Sequence, residues 1–440
     1  KLRVSAPGPM PPPPLSKKVP WYGAPIRSLV KPLGCVAGTL VAALFAFAWS
    51  REDLTAGVDD VRIAEDKNLA RFSDHCAAPA EGAEGTLASE EAASPPGLRL
   101  HSALALVGHG DGSAARAWPG EVPPGALFDC RPEALPRYWR INKHVQFTVF
   151  GQGGARLDRS FTPDFLPPSR TPGEPLEEYL CAPGQLTAAG FRQALLLGRH
   201  FAQAYEELLG RGGSGASSRL HVSSVDTKRS LASAVGLLMA FLAAPQLVHI
   251  FGDGSEVPIH TWPNTTGSIS QIEELELGEH LLGRWCHQLP WPCRSGAPEG
   301  SAQCISVEQA ASIVSKGETE FCRSLLPDAG LSGPALLAAE VERLRRAEEG
   351  SFSLASTDGR TLTTALRALL GDAVCESPLT ARPPLASRLV LERWLDPAAG
   401  GSRWRIIWNG ADVSSKVRGC ASGPTPGCWE ADLLALVGSR

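Results

Sequence analysis

The sequence predicts an α/β fold, in which helices cover both faces of a central sheet and inserted segments form a cap. Short apolar strands alternate with amphipathic helices along the chain, and this order is typical of a sheet covered on both faces. Two irregular stretches, near 113–178 and 246–330, carry many of the Trp, Pro and Cys residues. They are too long for simple loops, so we expect them to form a cap over the sheet edge.

The individual elements are predicted from apolar periodicity and from residues that start or stop helices. The strongest helix signal covers 185–209, because Thr187 can cap its start, apolar residues fall largely on one face, and Gly210 ends it. Further helices are predicted at 231–242, 334–349 and 362–370, and strands at 98–107, 219–223, 352–356, 388–394 and 404–408.

Length and composition fit either two or three average domains or one large α/β domain with an inserted cap. The chain has 440 residues, of which 43% are hydrophobic, so it can bury a sizeable core. The formal net charge is -4 and no long basic run is present, so nucleic acid is not an expected partner.

The N-terminal region predicts one transmembrane helix that precedes the folded domain. Residues 1–32 are Pro-rich and basic, as in a disordered cytoplasmic tail, and residues 33–49 are uncharged and apolar, at the lower length limit for a spanning helix. Because basic residues precede the apolar segment, we expect a signal anchor with the rest of the chain in the lumen. A cleaved signal peptide is the alternative. Residues 50–95 predict a flexible stem, and residues 96–440 predict the lumenal domain.

The cysteines predict an oxidising compartment. One of the 11, Cys35, lies in the apolar N-terminal segment, and the other ten follow it, an even number that suits disulfide pairing. A zinc site at Cys286, Cys293 and Cys304 is the alternative, but the spacing is irregular and the sequence has no CxxC. Asn264-Thr265-Thr266 is a glycosylation sequon, which also agrees with a lumenal location.

A histidine between two glycines follows the first apolar strand and is the main candidate for chemistry. The stretch 104–112 reads Leu-Ala-Leu-Val-Gly-His-Gly-Asp-Gly, with His109 at its centre. Taken alone, such a histidine is more often structural than catalytic. Three later segments accompany it in the sequence: 181–190 (CAPGQLTAAG), 228–233 (KRSLAS) and 354–362 (LASTDGRTL).

In this order and spacing, the four segments resemble the conserved motifs of the histidine acid phosphatases, branch two of the histidine phosphatase superfamily. The resemblance covers about residue 98 to the C-terminus, and the segments 388–396 and 407–413 extend it toward a Golgi membrane member of the branch. It implies a phosphoglycerate mutase-like fold, with a central mixed sheet flanked by helices and an inserted cap.

The resemblance also implies a role for particular residues. His109 matches the nucleophile that forms a phosphohistidine, Arg229 matches an arginine that binds the substrate phosphate, and Asp358 stands where the family has the acid that protonates the leaving oxygen. An ordinary loop aspartate is an equally good interpretation of Asp358. No metal ion and no cofactor are implied.

The sequence departs from the family pattern at three positions of the same site. Gly108 and Gly112 stand where the family has two further phosphate-binding arginines, and Thr357 stands near the place of its second histidine. Losses of this kind could lower turnover by roughly 10⁴-fold. Arg116 and Arg360 lie close in sequence to the lost positions and are candidates to replace them.

Two functions follow as expectations from the resemblance. The first is a single-pass type II Golgi membrane enzyme with a lumenal catalytic domain, which removes phosphate from xylose in the glycosaminoglycan-protein linkage region. Its implied partners are this phosphorylated sugar or proteoglycan, the membrane, and a Golgi kinase that phosphorylates xylose. The second is a pseudophosphatase that binds phosphosugars or acts as a scaffold with little or no turnover.

Overall fold

The structure is a computed structural model, and it describes most of the chain from residue 72 onward. The described ranges are 72–73, 75–76, 91–93, 95–114, 128, 130, 146–157, 181–210, 219–243, 247, 256–262, 272–293, 303–324, 333–376, 382–398, 400–420 and 427–438. The predicted cytoplasmic tail, the anchor at 33–49, the sequon at Asn264 and the candidate Arg116 lie outside them. Within the described ranges, no helix combines the length and the apolar character that crossing a bilayer requires.

Ten strands of the described residues form one mixed sheet. In spatial order the sheet runs β10-β8-β7-β1-β6-β4-β5-β2-β3, with β9 paired to β8. The pairs β1–β6, β6–β4, β4–β5 and β5–β2 are parallel, and the outer pairs are antiparallel. The strands are β1 Arg99–Gly108, β2 Gln146–Phe150, β3 Arg156–Leu157, β4 Leu220–Val225, β5 Glu256–Trp262, β6 Ser351–Thr357, β7 Arg388–Asp396, β8 Gly401–Trp408, β9 Ala411–Asp412 and β10 Cys428–Trp429.

Helices lie on both faces of this sheet. They are α1 Ala188–Ala204, α2 Glu206–Gly210, α3 Lys228–Leu242, α4 Ile272–Cys286, α5 Val307–Ser324, α6 Gly333–Arg346, α7 Gly359–Leu370 and α8 Glu430–Gly438. Alternate residues of β1 enter different cores. Ala103, Ala105 and Val107 pack with residues of α1 and α3, whereas Leu104 and Leu106 pack with residues of α6, α7 and α8. The predicted α/β fold with a central mixed sheet flanked by helices is therefore confirmed.

The predicted helix at 185–209 is interrupted near its end. Thr187 caps α1 as predicted, since its side chain accepts a hydrogen bond from the Gly190 N–H. Tyr205 leaves the helical conformation and separates α1 from α2. Its hydroxyl donates to the Glu392 carboxylate at 2.9 Å, a long-range contact that local sequence does not reveal.

The two stretches predicted as a cap contribute to the sheet itself. Strands β2 and β3 come from the first stretch and β5 from the second, and β5 pairs in parallel with both β4 and β2. Parallel pairing joins segments distant in sequence, so short strands of this kind leave little local signal. The second stretch also supplies α4 and α5, which pack against each other around Leu281, Leu282, Ala310 and Val314.

Parts of the range predicted as a flexible stem belong to the folded domain. Phe72 is buried and packs among Trp285 and Trp291. Glu91 is also buried, and its carboxylate accepts a hydrogen bond from Arg388 Nε at 2.6 Å. The domain therefore extends N-terminal of residue 96, where the sequence analysis placed its start.

All ten cysteines that follow Cys35 are paired in disulfides. The pairs are Cys76–Cys286, Cys130–Cys181, Cys293–Cys304, Cys322–Cys375 and Cys420–Cys428. The alternative of a zinc site at Cys286, Cys293 and Cys304 is wrong, because a cysteine in a disulfide has no thiolate to offer a metal.

Candidate active site

The candidate residues meet at the carboxyl ends of three adjacent parallel strands. His109 directly follows β1, Asp358 directly follows β6, and Arg229 lies in the first turn of α3, just after β4. The parallel register aligns these ends, since Gly108 of β1 pairs with Thr357 of β6. In open α/β sheets, ligands bind in the crevice outside the carboxyl ends of the strands.

His109 is held by its backbone and presents one ring nitrogen for chemistry. Its N–H donates to the Thr357 carbonyl at 2.9 Å, and its carbonyl accepts from the Ala386 N–H at 3.0 Å. The ring Nδ1 lies 2.9 Å from the Gly110 carbonyl, which can only accept, so Nδ1 carries the proton when the ring is neutral. Nε2 then keeps a free lone pair, as a nucleophile requires.

The surroundings of His109 favour this neutral form. Burial lowers its pKa below the usual value, and the positive charge of Arg229 lowers it further. The Gly110 hydrogen bond and the negative charges of Glu279 and Asp358 raise the pKa, but they do not offset the first two effects. The lowered pKa therefore favours the imidazole that keeps its lone pair over the imidazolium.

The loop after His109 is fixed against α1 and α3. The Gly110 N–H donates to Ser233 Oγ at 3.1 Å, and the Asp111 N–H donates to Gln193 Oε1 at 2.8 Å. A Cβ at position 110 would lie 2.4 Å from the Gly190 carbonyl oxygen, so the loop and α1 approach closely only because both positions are glycine. The motifs at 181–190 and 228–233 thus hold the histidine loop in place.

Gly108 and Gly112, where the resemblance leads one to expect arginines, differ in their surroundings. A Cβ at Gly112 would lie 2.5 Å from Cδ of Arg229, so the stem of Arg229 fills that space. A Cβ at Gly108 would meet its nearest atom, the Ser387 carbonyl oxygen, at an ordinary 3.5 Å. Position 108 therefore has room for a Cβ, whereas position 112 has none unless Arg229 moves.

Asp358 is the N-cap of α7. Its Oδ1 accepts a hydrogen bond from the Thr361 N–H at 2.8 Å, the ordinary structural role of an aspartate at a helix start. Its negative charge also acts on His109 across the crevice. Both interpretations of Asp358 from the sequence are therefore compatible with its position.

Three charged or titratable residues that the sequence analysis missed line the same crevice. Glu279 on α4 lies between two guanidinium groups, 3.8 Å from Arg229 Nη2 and 3.9 Å from Arg382 Nη2. Arg382 precedes β7 and is 7% exposed. His75, from the N-terminal segment, interacts electrostatically with Arg382, Glu279 and His109.

The charges of this cluster move the pKa values of its members. Partial desolvation raises the pKa of Glu279, whose side chain is 43% exposed, but the charges of Arg229 and Arg382 outweigh it, and the pKa lies below its usual value. His109 and the predicted candidate Arg360 lower it further. Burial first and Arg382 second lower the pKa of His75 to about 3. Glu279 is thus a stable carboxylate and His75 a neutral imidazole.

His287, at the end of α4, contacts the loop that carries His109. His287 follows α4, and its Nε2 lies 2.6 Å from Asp111 Oδ2, which also accepts a hydrogen bond from Thr187. His75 and His287 each neighbour a cysteine of the Cys76–Cys286 disulfide. This adjacency in the sequence was the only signal that could have drawn attention to them.

Several solved structures resemble this one, and three of them serve as examples. They are the phytase from D. castellii (TM-score 0.48, 16% identity, 88% of each chain covered), the phytase of Klebsiella sp. ASR1 (0.42, 15%, 78% of this chain and 96% of that one) and the Bifidobacterium longum multiple inositol polyphosphate phosphatase in complex with phosphate (0.39, 12%, 82% and 95%). No protein-family model matches the sequence, and no curated protein does. At these TM-scores and identities, the likeness by itself decides neither family nor activity.

The structure brings three of the five predicted phosphate-site residues, His109, Arg229 and Asp358, to the carboxyl ends of adjacent strands. The charge of Arg360 acts on Glu279 of the same cluster, and Arg116 is outside the described residues. A phosphate in the crevice would face an imidazole nitrogen, guanidinium groups and the carboxyl group of Asp358. These are the groups that phosphoryl transfer to a histidine requires, although Glu279 reduces the net positive charge.

Proposed function

We propose that the chain is a phosphomonoesterase of the histidine acid phosphatase branch, with catalysis weakened by its lost arginines. The observation that carries this proposal is the placement of His109. Its Nδ1 is satisfied by the Gly110 carbonyl and its Nε2 is left with a lone pair, at the carboxyl ends of parallel strands and beside Arg229. A solely structural histidine would not need this tautomer at this place in the fold.

In the proposed reaction, His109 Nε2 attacks the phosphorus and the bond to the leaving oxygen breaks. Arg229 offsets the charge of the phosphoryl group, and Asp358 gives its proton to the leaving oxygen. Water then hydrolyses the phosphohistidine and releases inorganic phosphate. Arg360 and Arg116 are proposed to substitute for the two arginines that the family carries at positions 108 and 112, where this chain has glycine.

The proposed substrate is xylose phosphorylated in the glycosaminoglycan-protein linkage region, as for 2-phosphoxylose phosphatase. The sequence resemblance of 388–396 and 407–413 supports this choice. The proposed location is the Golgi membrane, with 33–49 as a type II anchor, glycosylation at Asn264, and a Golgi xylose kinase as a partner. Five disulfides support an oxidising compartment.

The second candidate function is a pseudophosphatase that binds phosphosugars or acts as a scaffold. Gly108, Gly112 and Thr357 favour it, since each stands where the family carries a charged or titratable group. Thr357 is fully buried, so its hydroxyl cannot replace that group in the crevice.

The test is a phosphoenzyme measurement on the purified full-length chain. We expect slow hydrolysis of p-nitrophenyl phosphate and a labelled phosphohistidine, both lost in His109→Ala. The matched control is His101→Ala, which changes a histidine at the opposite end of the same strand. If neither turnover nor label is detected in the wild-type chain, the pseudophosphatase function replaces the first.

Because Asp358 also caps α7, its role in catalysis is tested with a variant that keeps the helix cap. Asn caps helices about as well as Asp, whereas Ala costs about 1 kcal/mol. We expect Asp358→Asn to keep the wild-type free energy of unfolding and lose most of the turnover. Equal turnover in Asp358→Asn and wild type would leave Asp358 with the cap role alone.

A further inference from the structure

Glu279 is an anion that the protein itself supplies to the candidate phosphate site. Its two carboxylate oxygens face different guanidinium groups, Oε2 toward Arg229 at 3.8 Å and Oε1 toward Arg382 at 3.9 Å. A phosphate bound by both arginines would offer its oxygens to the same two groups. The carboxylate therefore stands in, by position and charge, for the ligand.

The two arginines reach this carboxylate from separate parts of the fold. Arg229 comes from the start of α3, where its stem fills the space over Gly112, and Arg382 comes from the segment before β7. A Cβ at Gly278 would lie 3.0 Å from Arg382 Nη1, so the guanidinium lies directly against the backbone of α4 beside Glu279. The arrangement is a three-element contact and not a chance surface pair.

Glu279 also retains the freedom that displacement by a ligand would require. Its side chain is 43% exposed, whereas those of Arg229 and Arg382 are 22% and 7% exposed. Both oxygen–nitrogen distances exceed the range of a direct hydrogen bond, so the carboxylate is held by charge and not by fixed geometry. A phosphate with a higher charge can take its place while Glu279 turns toward solvent.

We propose that Glu279 acts as an internal competitor for phosphate, so that a ligand gains Arg229 and Arg382 only by displacing it. This inference rests on the proposed function, because it concerns the phosphate site of that reaction. With glycine at 108 and 112, Arg229 and Arg382 carry a large share of the positive charge in the crevice. Glu279 therefore sets the anion affinity of the site and disfavours singly charged ligands relative to phosphate dianions.

The experiment measures binding of inorganic phosphate to the full-length chain by calorimetry at pH 7. We expect Glu279→Gln to bind phosphate at least about tenfold more tightly than wild type, because the glutamine keeps the shape and removes the competing charge. The matched control, Glu308→Gln, removes a helical carboxylate elsewhere in the second insertion and should bind as wild type does. In the double variant Glu279→Gln/Arg229→Gln, the gain should disappear.

Unchanged or weaker phosphate binding in Glu279→Gln would overturn the proposal and leave Glu279 as a structural counter-ion. If that variant does not fold, Glu279→Asp keeps the charge but withdraws it by one methylene, and an affinity no higher than wild type then overturns the proposal. The outcome is separate from that of the proposed function. Tighter binding without any turnover would reject the hydrolase and retain the competitor, whereas turnover with unchanged binding would do the reverse.

Discussion

Positions 108 and 112 carry the same residue for different structural reasons. Gly112 lies against the stem of Arg229 and leaves no room for a Cβ, whereas Gly108 has ordinary van der Waals space around the position of a Cβ. The absence of a side chain at 108 is therefore not enforced by the packing around it. In the proposed phosphatase, this is the position at which an arginine can be added as a test.

We expect Gly108→Arg to fold and to raise hydrolysis of p-nitrophenyl phosphate by roughly 10²- to 10³-fold, the usual contribution of one preorganised donor to the transition state. Gly112→Arg should not raise hydrolysis, because its Cβ would lie 2.5 Å from Arg229 Cδ and displace that side chain. Turnover and the free energy of unfolding are measured for both variants. A well-folded Gly108→Arg with wild-type turnover would contradict the expectation.

The sequence predicted those site residues that lie beside a motif and missed those that only the fold brings near. His109, Arg229 and Asp358 each follow a strand directly or open a helix, so local sequence places them. Glu279 lies inside a long insertion, and Arg382 and His75 lie in irregular segments. Nothing in the local sequence distinguishes Glu279 and Arg382 from surface residues, and His75 has only its position beside Cys76 as a signal, because their partners are distant along the chain.

At the scale of elements, α1 approaches the loop that carries His109 so closely that it fixes the position of this loop. A Cβ at Gly190 would lie 2.0 Å from the Asp111 carbonyl oxygen, which is a backbone atom that cannot rotate away. The same carbonyl accepts a hydrogen bond from the Thr187 N–H at 3.0 Å, just before α1 begins. The start of α1 and the loop can therefore move only together.

We expect Gly190→Ala to lower the free energy of unfolding by at least about 2 kcal/mol, because overpacking here must shift a helix or the loop. The variant should also lose phosphate binding at the crevice. Gly359→Ala is the control, since a Cβ at this helical position meets nothing within 4 Å. Both are measured by denaturant unfolding, and equal stability of the two variants would refute the close-approach argument.

Local signals predicted the helices better than the strands of the insertions. Thr187 caps α1 as predicted, and the predicted helices at 231–242, 334–349 and 362–370 correspond to α3, α6 and α7. Strands β2 and β5 were not predicted, because parallel partners about 110 residues apart determine their pairing. Such strands depend on tertiary contacts more than on their own sequence.

At the scale of the whole molecule, a buried polar network joins the N-terminal segment to the sheet. Glu392 of β7 is fully buried and accepts hydrogen bonds from Tyr205 Oη at 2.9 Å and Trp394 Nε1 at 3.0 Å, while Ala92 donates its backbone N–H. Burial raises the pKa of Glu392 to about 7, although these hydrogen bonds and Arg405 act against the rise. Between pH 4.5 and about pH 7, Glu392 is therefore protonated in the folded protein and ionised in the unfolded chain.

A carboxyl group whose pKa is higher in the folded state than in the unfolded state stabilises the folded protein at low pH. The contribution of Glu392 is complete below its unfolded pKa of 4.5 and is lost as the pH rises through about 7. This change amounts to about 3 kcal/mol. His75 and His221, whose pKa values burial lowers to about 3, act in the opposite direction over part of this range, so total stability does not isolate Glu392.

The difference between wild type and Glu392→Gln does isolate it. We expect the variant to gain up to about 3 kcal/mol relative to wild type between pH 4.5 and pH 7, because its amide does not titrate. Glu308→Gln serves as the exposed control and should follow the wild-type profile. Parallel profiles of wild type and Glu392→Gln across this range would show that Glu392 does not titrate there.

The Cys76–Cys286 disulfide links an early part of the chain to a later part, so the crevice is completed only after the later part has been synthesised. It joins residues 210 positions apart, and each cysteine has a neighbouring histidine that interacts with the loop: His287 contacts Asp111, and His75 interacts electrostatically with His109. During synthesis, His109 is made 177 residues before Cys286, so the loop that carries His109 exists for part of translation without α4 beside it. Contacts this distant in sequence also form slowly. A nascent or truncated chain that ends before α4 would therefore display the histidine without Glu279 and without the cross-link. The complete site, which includes Asp358 and Arg382, can form only after synthesis has passed residue 382.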